Sequence, residues 1–125
     1  RARIDIMYHN RNAPGFFKNL KEMWNVHCPT VSVECKNYAS DPNNPEFDQL
    51  SGRLNDRRGR FGLLICRKIA NRKLAIKRCK DRLNDKHEYI IVLDDSDVQK
   101  LAKLKKNGDE GVDDYMETRM DEIVS

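Results

Sequence analysis

The chain lacks any apolar run of the length that a membrane-spanning helix needs. Such a helix requires roughly 20 consecutive apolar residues, and no stretch of the 125-residue chain approaches that. No signal peptide is visible at the start of the sequence either. We therefore expect no membrane partner.

The sequence also lacks a C-x-x-C pair, so its four cysteines do not predict a zinc site. Cys35, Cys66 and Cys79 lie on predicted apolar faces and are expected to be buried free thiols, which fits a cytoplasmic location. Repeats and low-complexity tracts are absent, and the length suits one domain with one core. Because the chain begins at Arg1 without Met, we expect residues 1–125 to be a single domain of a larger protein whose N-terminal helix or strand precedes it.

Charge, by contrast, is abundant and unevenly distributed. Residues 1–93 carry 19 Lys/Arg against 10 Asp/Glu, whereas residues 94–125 carry 5 against 10. The basic excess is densest from Arg53 to Lys86, with 13 basic and 3 acidic residues. A surface of this kind suits a polyanion. The alternative is an ordinary solvated helix face.

Hydrophobic periodicity predicts strands that alternate with helices. The predicted strands are residues 3–8, 30–36, 61–67 and 88–93. The predicted helices are 15 to about 24, 45 to about 58, 72 to about 85, one from Asp94 or Asp95 that Gly108 breaks, and 110 to about 124. This alternation indicates an α/β domain whose later strands are parallel. Asp94, Asp95 and Asp97 are interpreted as helix caps rather than as a second metal cluster.

The strand at 30–36 reads Thr-Val-Ser-Val-Glu-Cys-Lys and ends in Glu-x-Lys. Because strand side chains alternate between faces, Ser32, Glu34 and Lys36 share one face, opposite the valines. Charged groups are costly to bury unless they are paired or bound to a metal. The segment is therefore a candidate site. The alternative is a simple ion pair on an edge strand.

Two further polar residues extend this candidate site. Asp5 lies between Ile4 and Ile6 and faces the opposite way from them. Gln49 follows on the next helix, one residue before an apolar position, and could turn toward the end of the Glu-x-Lys strand. Each has a plain alternative: Asp5 as a solvent-facing strand residue and Gln49 as an exposed helix residue.

The order Asp, then Glu-x-Lys, then Gln on the following helix resembles the PD-(D/E)xK nuclease superfamily. Within it, the restriction-endonuclease-like and Holliday-junction-resolvase-like groups are most similar, since Val-Glu-Cys-Lys-Asn-Tyr at 33–38 is similar to their third core strand. The resemblance covers roughly residues 3–67. Ile4 stands where the motif has Pro, and the 28 residues between Asp5 and Glu34 contain a helix.

The resemblance implies a restriction-endonuclease-like three-layer core. Its mixed central sheet would be flanked by helices, with an inserted helix between the Asp strand and the Glu-x-Lys strand. It also implies a metal-dependent endonuclease that hydrolyses phosphodiester bonds in DNA. Mg²⁺, or alternatively Mn²⁺, is the expected cofactor.

The same resemblance assigns roles to individual residues. Asp5, Glu34 and the backbone carbonyl of Cys35 would hold the metal. Lys36 would orient or deprotonate the attacking water, and Gln49 would position the water, Lys36 or the DNA backbone. The expected catalytic residues are thus Asp5, Glu34, Lys36 and Gln49.

DNA is the expected partner, with RNA left open. Candidate phosphate contacts are Arg53, Arg72, Lys73 and Lys77. Restriction, antiphage defence and repair are all compatible roles. The alternative function is a catalytically inactive DNA-binding or protein-interaction module of the same fold, the latter acting through the apolar stripe of the last helix. A homo-oligomer or a partner domain upstream of residue 1 is compatible with either function.

Overall fold

The computed structural model describes residues 3–9, 15–37, 40–107 and 111–125, and only the backbone of 3–9. The strands are β1 (Arg3–His9), β2 (Thr30–Lys36), β3 (Phe61–Ile65) and β4 (Tyr89–Leu93). The helices are α1 (Phe16–Glu22), α2 (Asn44–Ser51), α3 (Arg72–Lys86), α4 (Asp95–Lys106) and α5 (Gly111–Val124). This order confirms the α/β prediction. The predicted helix break at Gly108 lies outside the described residues.

The four strands form one mixed sheet in the order β1-β2-β3-β4. β1 pairs with β2 antiparallel, and β2, β3 and β4 are parallel to one another. α1 lies between β1 and β2 in the chain, so the expected inserted helix is present. Parallel strands need crossover connections, and α2 and α3 supply them.

Helices cover both faces of this sheet. A Cβ atom on Gly62 would lie 2.9 Å from the Leu50 side chain of α2. The neighbouring Phe61 ring instead contacts the Phe16 ring of α1, with centroids 5.8 Å apart. Because adjacent strand residues face opposite ways, α1 and α2 lie on opposite sides of the sheet. The fold is therefore a three-layer α/β arrangement.

β3 and β4 supply the middle of the apolar core. Most of their side chains are buried, as expected for parallel strands covered on both faces. The predicted apolar stripe of α5 is buried, as shown by Met116, Met120 and Ile123. Within the described part of the chain, no helix has the length and apolarity that crossing a membrane would require.

The end of α2 differs from the sequence prediction. The helix was expected to continue to about Arg58, but it ends at Ser51, with Gly52 as its C-cap. Four residues later, the Asn55 side chain accepts hydrogen bonds from the backbone N–H groups of Arg57 and Arg58, at 3.0 and 2.7 Å. Asn side chains compete in this way with helical hydrogen bonds. Residues 55–59 therefore form a tight turn instead of two more helical turns.

Asp97 joins α3, α4 and α5. It is 3% exposed and accepts hydrogen bonds from Arg72 at 2.7 Å, from the Asp94 backbone at 2.9 Å and from the Tyr115 hydroxyl. The capping interpretation is confirmed, since Asp94 and Asp97 form a capping box at the start of α4. Burial and the bond to Asp97 raise the pKa of Tyr115 to about 12, so its hydroxyl remains a donor at neutral pH. By contrast, Val98, the next residue of α4, is 40% exposed.

Candidate functional site

The polar side chains that alternation places on one face of β2 are buried. Ser32, Glu34 and Lys36 are 2%, 0% and 3% exposed. They belong to the sheet face that α2 covers, because Ser32 pairs in register with Gly62, the residue beneath Leu50. A carboxylate and an ammonium two residues apart are thus held in the interior. Such burial costs several kcal/mol per ion unless it is compensated.

β1 brings a second acidic residue to the same position. Asp5 is the register partner of Glu34 in the antiparallel pair. Direct partners in such a pair share a face of the sheet, and like charges placed there destabilise it. The side chain of Asp5 lies outside the described part of the structure, so its predicted role as a metal ligand remains a prediction. The backbone register nevertheless brings the two predicted acidic ligands to neighbouring positions.

Polar residues at the two ends of α2 contact this face. Glu46 lies in the first turn of α2, and Arg53 follows two residues after the helix ends at Ser51. The Arg53 Nε atom lies 3.5 Å from Glu34 Oε2. Glu46 Oε1 lies 3.7 Å from the Lys36 Nζ atom. Gln49 is exposed on the same helix.

Glu46 is a site residue that the sequence analysis missed. Its signal was its spacing, three residues before Gln49 and seven before Arg53. It also belongs to the capping box of α2, where its carboxylate accepts the Asn43 N–H at 2.7 Å. One carboxylate thus caps the helix and faces the ammonium of Lys36.

The ammonium of Lys36 organises the loop that follows β2. It donates to the Ser40 carbonyl at 2.5 Å, to the Ser40 hydroxyl at 3.0 Å and to the Asp41 carbonyl at 2.8 Å. These acceptors lie beyond the end of the strand and could not be predicted from strand alternation. An ammonium has three donors. Assisting a reacting water would therefore require Lys36 to exchange at least one of these bonds.

Asp41 connects the same loop to the start of α3. Its carboxylate accepts the backbone N–H groups of Ala70 and Asn71, at 2.7 and 2.8 Å. These two bonds hold the pKa of Asp41 below its usual value. The loop after β2 and the loop after β3 are therefore tied together at the carboxyl edge of the parallel strands. That edge is where ligands of open α/β sheets commonly bind.

The oxygen donors at this position are chemically suited to a hard divalent cation. Two carboxylates and the Cys35 carbonyl match the preference of Mg²⁺ and Mn²⁺ for oxygen ligands. Among the side chains that the structure describes, no three His, Cys, Asp or Glu residues converge on a metal position. The set fits the cation only when Asp5 is counted with Glu34. Arg53 provides an alternative source of positive charge for Glu34.

The four predicted phosphate contacts have different environments. Arg72 forms ion pairs with Asp97 and Asp94, so a phosphate would have to compete with them. Lys77 is 69% exposed and pairs with Asp81 at 3.0 Å, a surface contact that contributes little. Lys73 is exposed in the first turn of α3. Arg53 faces Glu34, and the structure thus places it nearest the candidate site.

No family model, curated protein or solved structure matches this chain.

Proposed function

We propose that this chain is a metal-dependent nuclease domain with a restriction-endonuclease-like fold. The observation that carries the proposal is the fully buried Glu34, whose register partner is a second acidic residue, Asp5. Two acidic residues at paired positions of neighbouring strands are unfavourable without a cation. A divalent metal would offset that cost. The same metal could bind a phosphate group of the substrate.

Asp5, Glu34 and the Cys35 carbonyl would hold the metal in this proposal. Bound there, Mg²⁺ would supply a Lewis acid that polarises the phosphate and lowers the pKa of water. Lys36 would offset developing negative charge and orient the attacking water after releasing an acceptor in the loop. Gln49 would position the same water or the nucleic-acid backbone from α2.

Glu46 would position Lys36 in this scheme. Its carboxylate lies 3.7 Å from the ammonium and is held by the capping bond to Asn43. Held there, Lys36 would act as an electrostatic partner of phosphate rather than as a general base.

The substrate proposed is DNA, a preference that rests on the resemblance, with RNA as the alternative. Cytoplasmic restriction, antiphage defence or repair would each use such a domain. A larger protein or a homo-oligomer would supply the remaining parts of the site. The basic surface from Arg53 to Lys86 supports a polyanionic partner, because it provides the charge that phosphate contacts need.

A specific observation favours a second candidate, a catalytically inactive nucleic-acid-binding module. Arg53 already lies beside Glu34, and Lys36 already donates to three oxygens of the following loop. In this alternative the guanidinium takes the place of the metal, and Lys36 serves only to shape the loop. Such a module would bind nucleic acid without cleaving it.

Lys36→Ala separates the two candidates. The nuclease proposal expects a loss of about a hundredfold or more in Mg²⁺-dependent nicking of supercoiled DNA, the usual cost of deleting a charge-stabilising donor. Lys103→Ala, which removes an exposed lysine of α4, is the matched control and should cleave normally.

Because Lys36 is buried, its replacement could also unfold the domain. Circular dichroism and urea unfolding check this, and the isosteric Glu34→Gln variant provides an independent test. Glu34→Gln should lose cleavage and also lose heat of Mn²⁺ binding in calorimetry. Wild-type protein that binds DNA yet shows neither cleavage nor Mn²⁺ binding would establish the inactive module instead.

A further inference from the structure

Residues 55–59, the arginine turn, follow α2 and end just before β3. Two backbone hydrogen bonds close the turn, from Asn55 N to Gly59 O at 3.0 Å and from Gly59 N to Asn55 O at 2.8 Å. The Asn55 side chain accepts two more from Arg57 and Arg58. Four hydrogen bonds within five residues make this turn conformationally well defined.

The arginine turn is also fixed to the start of β2. The backbone N–H and the hydroxyl of Thr30 both donate to the Arg58 carbonyl, at 3.2 and 2.5 Å. Gly59 has a φ of +120°, and a Cβ there would lie 3.1 Å from the Pro29 ring. A positive φ and a close neighbour together require glycine. The turn is therefore part of the rigid frame around the sheet.

This rigid frame presents two arginines to solvent. Arg57 and Arg58 are exposed, and neither forms an ion pair with a carboxylate of the described residues. The nearby Asp56 is already paired with Arg60 at 2.7 Å. Two consecutive arginines thus place two positive charges on one ordered turn. A ligand with several negative charges would complement them.

The position of the turn relates it to the candidate site. Thr30 precedes Glu34 by four residues, which corresponds to about 13 Å along a strand. A nucleic-acid strand that rises about 3.4 Å per step would cover that length in roughly four nucleotides. Arg53, which faces Glu34, lies between the site and the turn along the chain. The arginine turn therefore lies at the amino end of the strand that carries Glu34.

We propose that Arg57 and Arg58 form a preorganised contact for the phosphodiester backbone of nucleic acid, a few nucleotides from the cleavage position. The inference rests on the proposed function for the identity of the polyanion. Arginine suits this role because its planar fork donates two hydrogen bonds to one phosphate. A turn that is already ordered loses little further entropy on binding.

The test is equilibrium binding of a fluorescein-labelled 20-base-pair DNA duplex, measured by anisotropy in EDTA so that no cleavage occurs. Arg57→Ala/Arg58→Ala should weaken binding about tenfold to a hundredfold at 0.1 M salt and lower the salt slope by nearly two, the effect of losing two phosphate contacts. Lys105→Ala/Lys106→Ala removes the same charge from the exposed end of α4 and should change affinity less than threefold. An equal loss in this control would overturn the proposal, as would no binding by the wild type.

Asn55→Ala tests the preorganisation itself, because it keeps both arginines and the net charge. It should weaken binding several-fold, and unchanged affinity would overturn this part of the proposal. Where the wild type cleaves DNA, Arg57→Ala/Arg58→Ala should raise KM and leave kcat within twofold. Because the binding assay needs no turnover, failure of nuclease activity and failure of the arginine contact give separate results.

Discussion

Asp97 and Glu34 are both acidic residues in the interior, but their surroundings differ. Asp97 accepts hydrogen bonds from Arg72, Tyr115 and a backbone N–H at the junction of three helices. The ionic contact described for Glu34 is Arg53, at the longer distance of 3.5 Å. Its register partner on the neighbouring strand is another acid, Asp5. One carboxylate accepts several described hydrogen bonds, and the other belongs to a residue whose register partner is also an acid.

This difference separates a structural charge from a candidate functional one. A buried carboxylate with several donors holds its neighbours in place, and removing it leaves those donors unsatisfied. A buried carboxylate opposite another acid lowers stability and is retained where that cost serves binding or chemistry. The contrast can be measured, because the two residues should respond in opposite directions to the loss of their charge.

Asp97→Ala should produce the largest loss of stability. It removes the acceptor shared by Arg72 and Tyr115, and breaking a buried charge pair typically costs about 3–5 kcal/mol. Because Arg72 is partly exposed, we expect about 3 kcal/mol in the free energy of unfolding by urea. Asp95 lies two residues earlier, in the same first turn of α4, and is exposed. Asp95→Ala should therefore cost less than about 1 kcal/mol. Similar losses of stability in the two variants would show that Asp97 does not have this structural role.

The pH dependence of stability should show a smaller effect of the same carboxylate. Burial raises the pKa of Asp97, but hydrogen bonds from Tyr115, Asp94 and Arg72 outweigh it and leave the pKa below its usual value. A lowered folded-state pKa contributes stability that is present above the unfolded pKa, about 4, and is lost as pH falls through the folded pKa. The stability difference between wild type and Asp97→Asn should therefore shrink below about pH 4. A difference that stays constant from pH 7 to pH 2 would contradict this assignment.

Much of the fold could be predicted from periodicity. The order of strands and helices follows from side-chain spacing, as does the shared face of Ser32, Glu34 and Lys36 on β2. The sheet and the helices that cover it impose this spacing on the sequence. The end of α2 could not be predicted in this way, since one Asn55 side chain captured two backbone N–H groups that a longer helix would have used. Local hydrogen bonding of this kind leaves no periodic signal.

The candidate site was predictable only in part. Glu34 and Lys36 share one face of β2 as expected, and helical spacing could also have indicated Glu46. The acceptors of Lys36 and the tie from Asp41 to α3 depend on how two loops meet in space. Asp97 was correctly interpreted as a cap, yet its partners Arg72 and Tyr115 come from other helices. Sequence spacing indicates which side chains share a face of a strand or helix. Which elements contact one another becomes known only from the folded structure.

Glu34→Gln should have the smallest effect on the free energy of unfolding. Whether that free energy rises or falls distinguishes a metal site from a structural charge. In EDTA it removes a negative charge opposite Asp5 without changing shape, so the free energy of unfolding should stay constant or rise by up to about 1 kcal/mol. Added Mg²⁺ should stabilise the wild type through binding to the folded state and leave the variant unchanged. The order of stability of the two proteins would then reverse on adding metal. If Glu34→Gln instead costs as much in EDTA as Asp97→Ala, Glu34 is held by Arg53 as a structural charge. The proposed metal site at this position would then be ruled out.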